Sequence, residues 1–151
     1  MVDVLIKRGQ TLAVAESLTG GLLAATIVNV PGVSKIFRGG LVVYATDLKV
    51  KLAGVDADLL ADRGPVDPEV AAALARGAAV TCEADWGLGT TGVAGPDPQD
   101  GVSPGTVFLG VAGPHGFGEV RELRLSGDRA SIRAQAVSAA LLLLAEALNK
   151  G

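Results

Sequence analysis

A serine in surroundings typical of a nucleophile lies near the start of the chain, in the run A-E-S-L-T-G-G (15–21). An apolar, strand-like segment precedes Ser17 and a helix-like segment follows it. The N–H groups at the start of such a helix point outward, where they can stabilise an oxyanion. Gly20 and Gly21 allow the backbone to approach a substrate closely. Taken alone, these residues favour the simpler interpretation that Ser17 or Thr19 caps the helix.

A hydroxyl nucleophile needs a base, and the composition limits the choice. The single histidine, His115, lies in the turn G-P-H-G (113–116), whose tip is expected to face solvent. The single cysteine, Cys82, lies among small residues of a predicted helix and is expected to pack in the core. Histidine-based mechanisms are therefore disfavoured. The remaining base is a lysine kept neutral by burial, and Lys49 and Lys51 are candidates by position. Either is more commonly a solvated charge, and sequence spacing does not show that either reaches the serine.

The segment S-G-D-R-A-S-I-R (126–133), at the start of the last predicted helix, suggests a phosphate site. Asp128 can cap that helix, and Arg129 and Arg133, four residues apart, lie on one of its faces. A helix N-terminus with two guanidinium groups is well suited to phosphate. The alternative, a capped helix with two solvent-exposed arginines, is equally compatible with these residues.

The run G-L-G-T-T-G (87–92) matches the dinucleotide-binding pattern G-x-G-x-x-G letter for letter. That pattern has to leave a strand and open a helix, with an acidic residue about 20 positions later. Here the run lies inside a strand-like segment, and the Val-Ala-Gly-Pro that follows it is unsuited to start the required helix. A Rossmann site is therefore not expected.

The elements that carry these residues alternate between helix and strand, with the turn after the first strand at 16–19. Helices are predicted at 1–8, 20–30, 47–53 (with Thr46 as its N-cap), 67–83 and 128–149, and strands at 11–15, 40–45, 86–91, 106–112 and 118–125. The last two strands form a hairpin, and a Gly- and Pro-rich loop of functional length spans 92–105. This order predicts an α/β fold: one domain over residues 1–151, with three α/β/α layers and a mixed sheet.

Composition and charge restrict the partners. The 151 residues are 49% hydrophobic and 19% charged, with a net charge of −3, which indicates a well-filled core and no basic surface for nucleic acid. The N-terminal apolar run is too short for a signal peptide, and the run at 139–147 contains Glu146 and is too short to span a membrane. We therefore expect a cytoplasmic protein without nucleic-acid, membrane or metal partners. We also expect a homo-oligomer, with a dimer as one option.

Five blocks of the chain, in order, match the patterns of one family. The block at 15–21 is similar to A-E-S-C-T-G-G, and residues 37–44 match F-R-G-G-x-x-x-Y. Residues 92–96 resemble G-I-A-G-P, residues 105–107 match G-T-V, and residues 127–133 match G-D-R-x-x-I-R. The chain thus resembles the CinA C-terminal domain family over nearly its whole length.

The resemblance implies an activity and a site. Stand-alone members of the family are nicotinamide mononucleotide deamidases, which hydrolyse the carboxamide to the acid and ammonia. The resemblance implies that Ser17 is the nucleophile and Lys49 the base, that the substrate is a small nucleotide and that no cofactor is needed. The residues implied at the substrate site are Thr19, Gly20, Gly21, Tyr44, Thr91, Gly92, Arg129 and Arg133, with the two arginines on the phosphate. The alternatives are a nucleotide-binding regulatory domain that has lost turnover, and an interaction module that binds no nucleotide.

Several positions depart from the family pattern. Leu18 stands where the family usually has Cys, and Ala45 stands where it has Ser, so a polar side chain is missing there. Thr46 is a partial substitute for Asn, and Pro65 and Asp67 lie in a segment that often reads G-A-V-S. Because the serine and the lysine are retained, we expect the domain to be active. The alternative is a weakened or altered specificity.

Overall fold

The computed structural model describes residues 1–151, which form five strands and six helices with two short 3₁₀ turns. The strands are β1 (Leu12–Glu16), β2 (Phe37–Val42), β3 (Trp86–Gly92), β4 (Thr106–Ala112) and β5 (Gly118–Arg124). The helices are α1 (Val2–Arg8), α2 (Leu22–Val28), α3 (Thr46–Ala53), α4 (Ala57–Arg63), α5 (Pro68–Thr81) and α6 (Arg129–Lys150).

The five strands form one sheet in the order β2-β1-β3-β4-β5. The strand β1 pairs in parallel with both β2 and β3, whereas β3, β4 and β5 pair antiparallel as consecutive neighbours. The predicted mixed sheet and hairpin are therefore confirmed. Because β1 and β3 are parallel and adjacent, the segments that follow Glu16 and Gly92 leave the sheet at the same edge, and this edge carries the site described below.

Helices cover both faces of the sheet, and each face has its own apolar core. The larger core is built by α1, α2 and α6 against one face and includes Trp86 and Leu143. The smaller core lies on the other face, between the sheet and α3, α4 and α5, and includes Leu74. This arrangement confirms the three-layer α/β/α prediction. By length and composition alone α6 could cross a membrane, but here its apolar face, including Ile132 and Ala140, is buried in the larger core.

Glycines on the sheet allow α5 to lie unusually close to it. A Cβ on Gly87 would approach the Ala75 carbonyl oxygen to 1.9 Å, and a Cβ on Gly89 would lie 2.6 Å from the Ala71 carbonyl oxygen. Gly110 on the neighbouring strand has the same role. Two of the glycines in G-L-G-T-T-G are thus explained by helix-to-sheet packing, which confirms that the run is not a dinucleotide fingerprint.

Several predicted boundaries were wrong. The second strand spans Phe37–Val42 rather than 40–45, and α2 spans Leu22–Val28 rather than 20–30, because the Ser17–Gly21 turn continues past Gly20. Glu16 belongs to β1 and is fully buried, not part of the turn.

Two further differences concern helix starts. The helix α4 was not predicted, although Asp56 caps it by accepting a hydrogen bond from the Asp58 N–H at 2.8 Å. Thr46 is not the N-cap of α3: Ala45 holds that position and has no side chain with which to cap.

Candidate active site

A cavity of about 400 Å³ opens at the sheet edge where β1 and β3 end. Its walls come from the turn after β1, the start of α3, the segment before α5, the loop after β3 and the start of α6. The lining residues are Ser17, Leu18, Tyr44, Thr46, Lys49, Pro65, Val66, Thr91, Gly92, Val93, Ala94, Gly95, Pro96, Asp97, Pro98, Gln99 and Arg129. The volume lies in the range of small-molecule sites.

Ser17 and Lys49 meet at the bottom of this cavity. Ser17 is the first residue after β1. Lys49, 32 positions later, lies on the first turn of α3, and its side chain faces inward. The Lys49 Nζ lies 3.1 Å from the Ser17 Oγ, and the lysine is only 1% exposed. Lys51 lies on the outer face of the same helix, where it is exposed and pairs with Asp47 at 3.1 Å. The tertiary structure thus distinguishes the two lysines that the sequence left as alternatives.

The burial of Lys49 shifts its protonation equilibrium toward the neutral form. Burial lowers the pKa of Lys49 from the usual 10.5 to about 8, because the ammonium loses its hydration. The other partners of Nζ are the carbonyl oxygens of Val43 at 2.8 Å and Tyr44 at 3.3 Å, and no carboxylate is bonded to it. A neutral amine has two N–H donors and one lone pair, so it can donate to both carbonyls and accept the proton of the Ser17 hydroxyl.

The free N–H groups near Ser17 are not the ones that the sequence suggested. The buried carboxylate of Glu16 accepts hydrogen bonds from the N–H groups of Gly21 (3.3 Å), Leu23 (2.8 Å) and Ala24 (3.1 Å). The Gly20 N–H donates to the Ser17 carbonyl at 3.0 Å. The start of α2 is therefore occupied by Glu16 and is not available to an oxyanion.

Two N–H groups of the turn that follows Ser17 have no acceptor in the protein, those of Leu18 and Thr19. These two residues directly follow Ser17, and Leu18 lines the cavity. The N–H groups at the start of the helix, which the sequence suggested as donors to an oxyanion, are taken by Glu16, and the free N–H groups lie nearer Ser17. Nothing in the residue types could have shown this, because it depends on the buried Glu16 taking the other donors.

Arg129 spans the mouth of the cavity. Its Nη1 donates to the Gly95 carbonyl at 2.6 Å, and its Nη2 donates to the Tyr44 hydroxyl at 3.1 Å. The guanidinium remains partly exposed toward the cavity, and Asp128 caps α6 beside it by accepting from the Ser131 N–H at 2.8 Å. This is a cationic group at a helix N-terminus, an arrangement that suits an anionic substituent of a ligand.

Of the other residues implied at the site, some reach the cavity and some do not. Tyr44, Thr91 and Gly92 line it, and the Thr91 hydroxyl also donates to the Pro65 carbonyl at 2.6 Å. The structure does not bring Thr19, Gly20, Gly21 or Arg133 into the lining. The Thr19 hydroxyl points into the sheet, 2.8 Å from that of Thr90, and Gly20 is exposed on the outer side of the turn.

Arg133 is one helical turn from Arg129 but contacts backbone rather than the cavity. Its Nε donates to the Leu18 carbonyl and its Nη2 to the Thr19 carbonyl, both at 2.9 Å. Of the two arginines expected at one phosphate site, only Arg129 lines the cavity. The spacing of four residues puts both arginines on one face of α6, but the turn after β1 packs against Arg133.

Sequence reasoning missed several lining residues. Pro65 and Val66 line the cavity from the segment before α5, and Asp97 and Gln99 line it from the Gly- and Pro-rich loop. The loop itself was noted for its length and composition, but no pattern indicated which of its side chains face the cavity. No group of three or more His, Cys, Asp or Glu side chains lies close enough to share a metal ion.

The positions that depart from the family pattern lie at or near this cavity. Leu18 is buried in the larger core and also lines the cavity, so an apolar side chain there replaces a thiol without leaving a gap. Thr46 lines the cavity, whereas Ala45 is exposed. Asp67 lies behind the wall, where it caps α5 and pairs with Arg63 at 2.7 Å.

The fold and site together define an α/β domain with a buried serine–lysine pair at the carboxyl edge of its parallel strands. Comparison with known sequences agrees with this class of α/β domain and identifies its family. A sequence model of the CinA C-terminal domain matches residues 1–148, and the chain belongs to this family.

Similar proteins extend the same result. A CinA-like protein of Frankia casuarinae is 51% identical over 144 residues, which cover 95% of this chain and 33% of that protein. A putative competence-damage inducible protein of Moorella thermoacetica is 47% identical over 97% of this chain and 35% of its own length. The chain thus spans about a third of the length of these curated relatives.

Solved structures are similar over almost the full length of both chains. A CinA superfamily protein from Klebsiella pneumoniae has a TM-score of 0.94 at 31% identity, covering 99% of this chain and 93% of its own. The competence/damage inducible protein CihA from Agrobacterium tumefaciens has a TM-score of 0.92 at 31% identity, covering 98% and 90%.

Proposed function

We propose that this domain hydrolyses the carboxamide of nicotinamide mononucleotide to nicotinic acid mononucleotide and ammonia. The observation that carries the proposal is the 3.1 Å contact between the Ser17 Oγ and the buried Lys49 Nζ at the bottom of the cavity. The choice of substrate rests on the resemblance to the stand-alone deamidases of the CinA C-terminal domain family. Membership in that family supports an amidase function in general.

The proton transfers of the reaction need only the serine and the lysine. Neutral Lys49 takes the Ser17 proton as the Oγ forms a bond to the carboxamide carbon. The resulting ammonium then gives its proton to the amide nitrogen, the C–N bond breaks, and ammonia leaves. A water molecule then attacks the acyl carbon while Lys49 takes its proton. The bond from that carbon to the Ser17 Oγ breaks, Lys49 returns the proton to Oγ, and nicotinic acid mononucleotide is released. The nucleophile and base are each regenerated.

The tetrahedral intermediate carries a negative oxygen that needs donors. The unpaired N–H groups of Leu18 and Thr19 are proposed as these donors, in place of the α2 N–H groups that Glu16 occupies. Removal of one such donor typically costs about 3 kcal/mol of transition-state stabilisation. Because both are backbone groups, they can be tested only through residues that hold the turn.

The remaining cavity offers contacts for a nucleotide. Arg129 is proposed to bind the phosphate, because it is the only guanidinium in the lining and lies at the start of α6. Asp97 and Gln99 supply polar groups on the facing loop. The steps above use no metal ion and no organic cofactor.

The proposal is tested by incubating the purified protein with nicotinamide mononucleotide and measuring ammonia. Wild type should release ammonia, and exhaustive chelation should leave the rate unchanged. Ser17→Ala should abolish release while retaining nucleotide binding and thermal stability. Loss of activity on chelation would contradict the metal-free mechanism, and release by Ser17→Ala equal to wild type would remove the serine from it.

A second function is favoured by one observation. The family's polar side chain at position 45 is replaced by Ala45, beside the carbonyls that hold Lys49. A domain that binds the nucleotide but no longer turns it over would serve as a regulatory unit. Measurable binding of nicotinamide mononucleotide by calorimetry, with no ammonia above a blank, would establish this alternative.

A further inference from the structure

The turn after β1, residues 17–21 and called here the Ser17 loop, is held from two sides by groups of opposite charge. On one side the Glu16 carboxylate, fully buried, accepts hydrogen bonds from the N–H of Gly21, at the end of the loop, and from those of Leu23 and Ala24 in α2. On the other side the Arg133 guanidinium donates to two consecutive carbonyls, those of Leu18 and Thr19. The carbonyls of Leu18 and Thr19 are thus turned toward α6.

Peptide planarity gives this orientation of the carbonyls a consequence for the free N–H groups. In a trans peptide the C=O and the N–H point in opposite directions. When Arg133 holds the Leu18 carbonyl, it therefore also turns the Thr19 N–H away from α6. The peptide between Ser17 and Leu18 is held separately, by the Gly20 N–H on the Ser17 carbonyl at 3.0 Å.

The same contacts leave Arg133 poorly suited to a ligand. Its Nε and Nη2 are both bonded to carbonyls, and it does not line the cavity. To bind phosphate through its Nε–Nη2 edge it would have to release the Ser17 loop. The guanidinium fork matches two adjacent acceptors, a geometry that a lysine ammonium does not reproduce.

We propose that Arg133 is a positioning residue that fixes the two peptide planes after Leu18, so that the Thr19 N–H stays free for the oxyanion. Phosphate recognition then belongs to Arg129 alone. The kinetic part of this inference rests on the proposed function. The structural part, that the two hydrogen bonds of the Arg133 guanidinium hold the Ser17 loop in place, does not.

The kinetic test compares Arg133→Ala, Arg133→Lys and Arg129→Ala on nicotinamide mononucleotide and on the phosphate-free riboside. For Arg133→Ala we expect kcat to fall about 10- to 100-fold on both substrates, since small misplacements of reacting groups cost about that much, with KM changed less than about threefold. Arg133→Lys should recover only part of the loss. Arg129→Ala should instead raise KM for the mononucleotide selectively.

A matched control is Arg38→Ala. Arg38 also donates its Nε to a backbone carbonyl, that of Cys82 at 2.8 Å, but it does not line the cavity and does not touch the Ser17 loop. Its kinetics should be those of wild type. A rise in KM for the mononucleotide alone in Arg133→Ala, with kcat intact, would overturn the proposal and return Arg133 to the phosphate.

A second arm does not depend on turnover. Backbone ¹⁵N relaxation of wild type and Arg133→Lys, both checked by thermal melting, should show increased mobility at Leu18, Thr19 and Gly20 in the variant only. Unchanged relaxation at these residues would refute the positioning role. If wild type releases no ammonia, the proposed function fails while this arm still decides the role of Arg133.

Discussion

Replacement of Lys49 by arginine separates the role of its charge from its role as a base. The Lys49 Nζ lies 3.1 Å from the Ser17 Oγ, the lysine is only 1% exposed, and its pKa is lowered to about 8. An arginine keeps the positive charge at every accessible pH, because its pKa stays above about 12 in proteins. Lys49→Arg therefore preserves the cation and removes the base. We expect turnover to fall at least about 100-fold, the low end of a general base contribution.

The lowered pKa also predicts how wild-type activity depends on pH. With a pKa of about 8, about one-tenth of the Lys49 side chains are neutral at pH 7 and about nine-tenths at pH 9. Since only the neutral form accepts the serine proton, kcat/KM should rise about tenfold between these two pH values and level off above them. Lys49→Arg should lack this rise.

The assay is ammonia release from nicotinamide mononucleotide at saturating and at low substrate, between pH 6 and pH 9.5. Lys51→Arg is the matched control, because Lys51 is exposed and pairs only with Asp47. It should match wild type in rate and in pH profile. If Lys49→Arg keeps more than about one-tenth of wild-type turnover, or keeps the rise through pH 8, Lys49 is not the general base.

Two further predictions concern stability. Gly77→Ala should lower the melting temperature even though alanine favours helix by about 1 kcal/mol, because the new Cβ would lie 1.9 Å from the Ala53 carbonyl oxygen and such overpacking costs about 1–3 kcal/mol; a higher melting temperature would contradict this. Between pH 8 and pH 10.5 the unfolded chain binds a proton at Lys49 that the folded chain does not, so the unfolding free energy of wild type should rise with pH relative to Lys49→Met. Urea unfolding of both proteins at pH 7, 8, 9 and 10 measures the difference, and parallel curves would show that burial does not lower the Lys49 pKa.

Much of the fold could be predicted because its signals are local. The helix α5 was predicted to begin where Asp67 and Pro68 lie, and the structure has the N-cap and first position there. The strand and hairpin predictions rest on alternating or continuous apolar runs between turns, which require no knowledge of distant contacts. The boundaries of β2 failed because Gly39 and Gly40 weaken the strand pattern where the chain already pairs with β1.

The candidate site could be predicted only as a set of residue types. Elimination of His115 and Cys82 left a lysine as the base, and the composition alone supports that step. Which lysine faces inward depends on how α3 packs, because Lys49 and Lys51 differ only in the side of one helix on which they lie. The tertiary structure buries the first and leaves the second exposed.

The amino-acid sequence by itself determined the fold class, the family resemblance and the residues able to do chemistry, because each is written in nearby residues or in patterns of type. The tertiary structure decided which of those residues meet. The Arg133 contacts with the Ser17 loop join positions up to 115 residues apart, and the Glu16 carboxylate takes N–H groups that the residue pattern assigned to substrate. Such contacts follow from how helices pack on the sheet and on which side each side chain is buried, and no local pattern of residues specifies them.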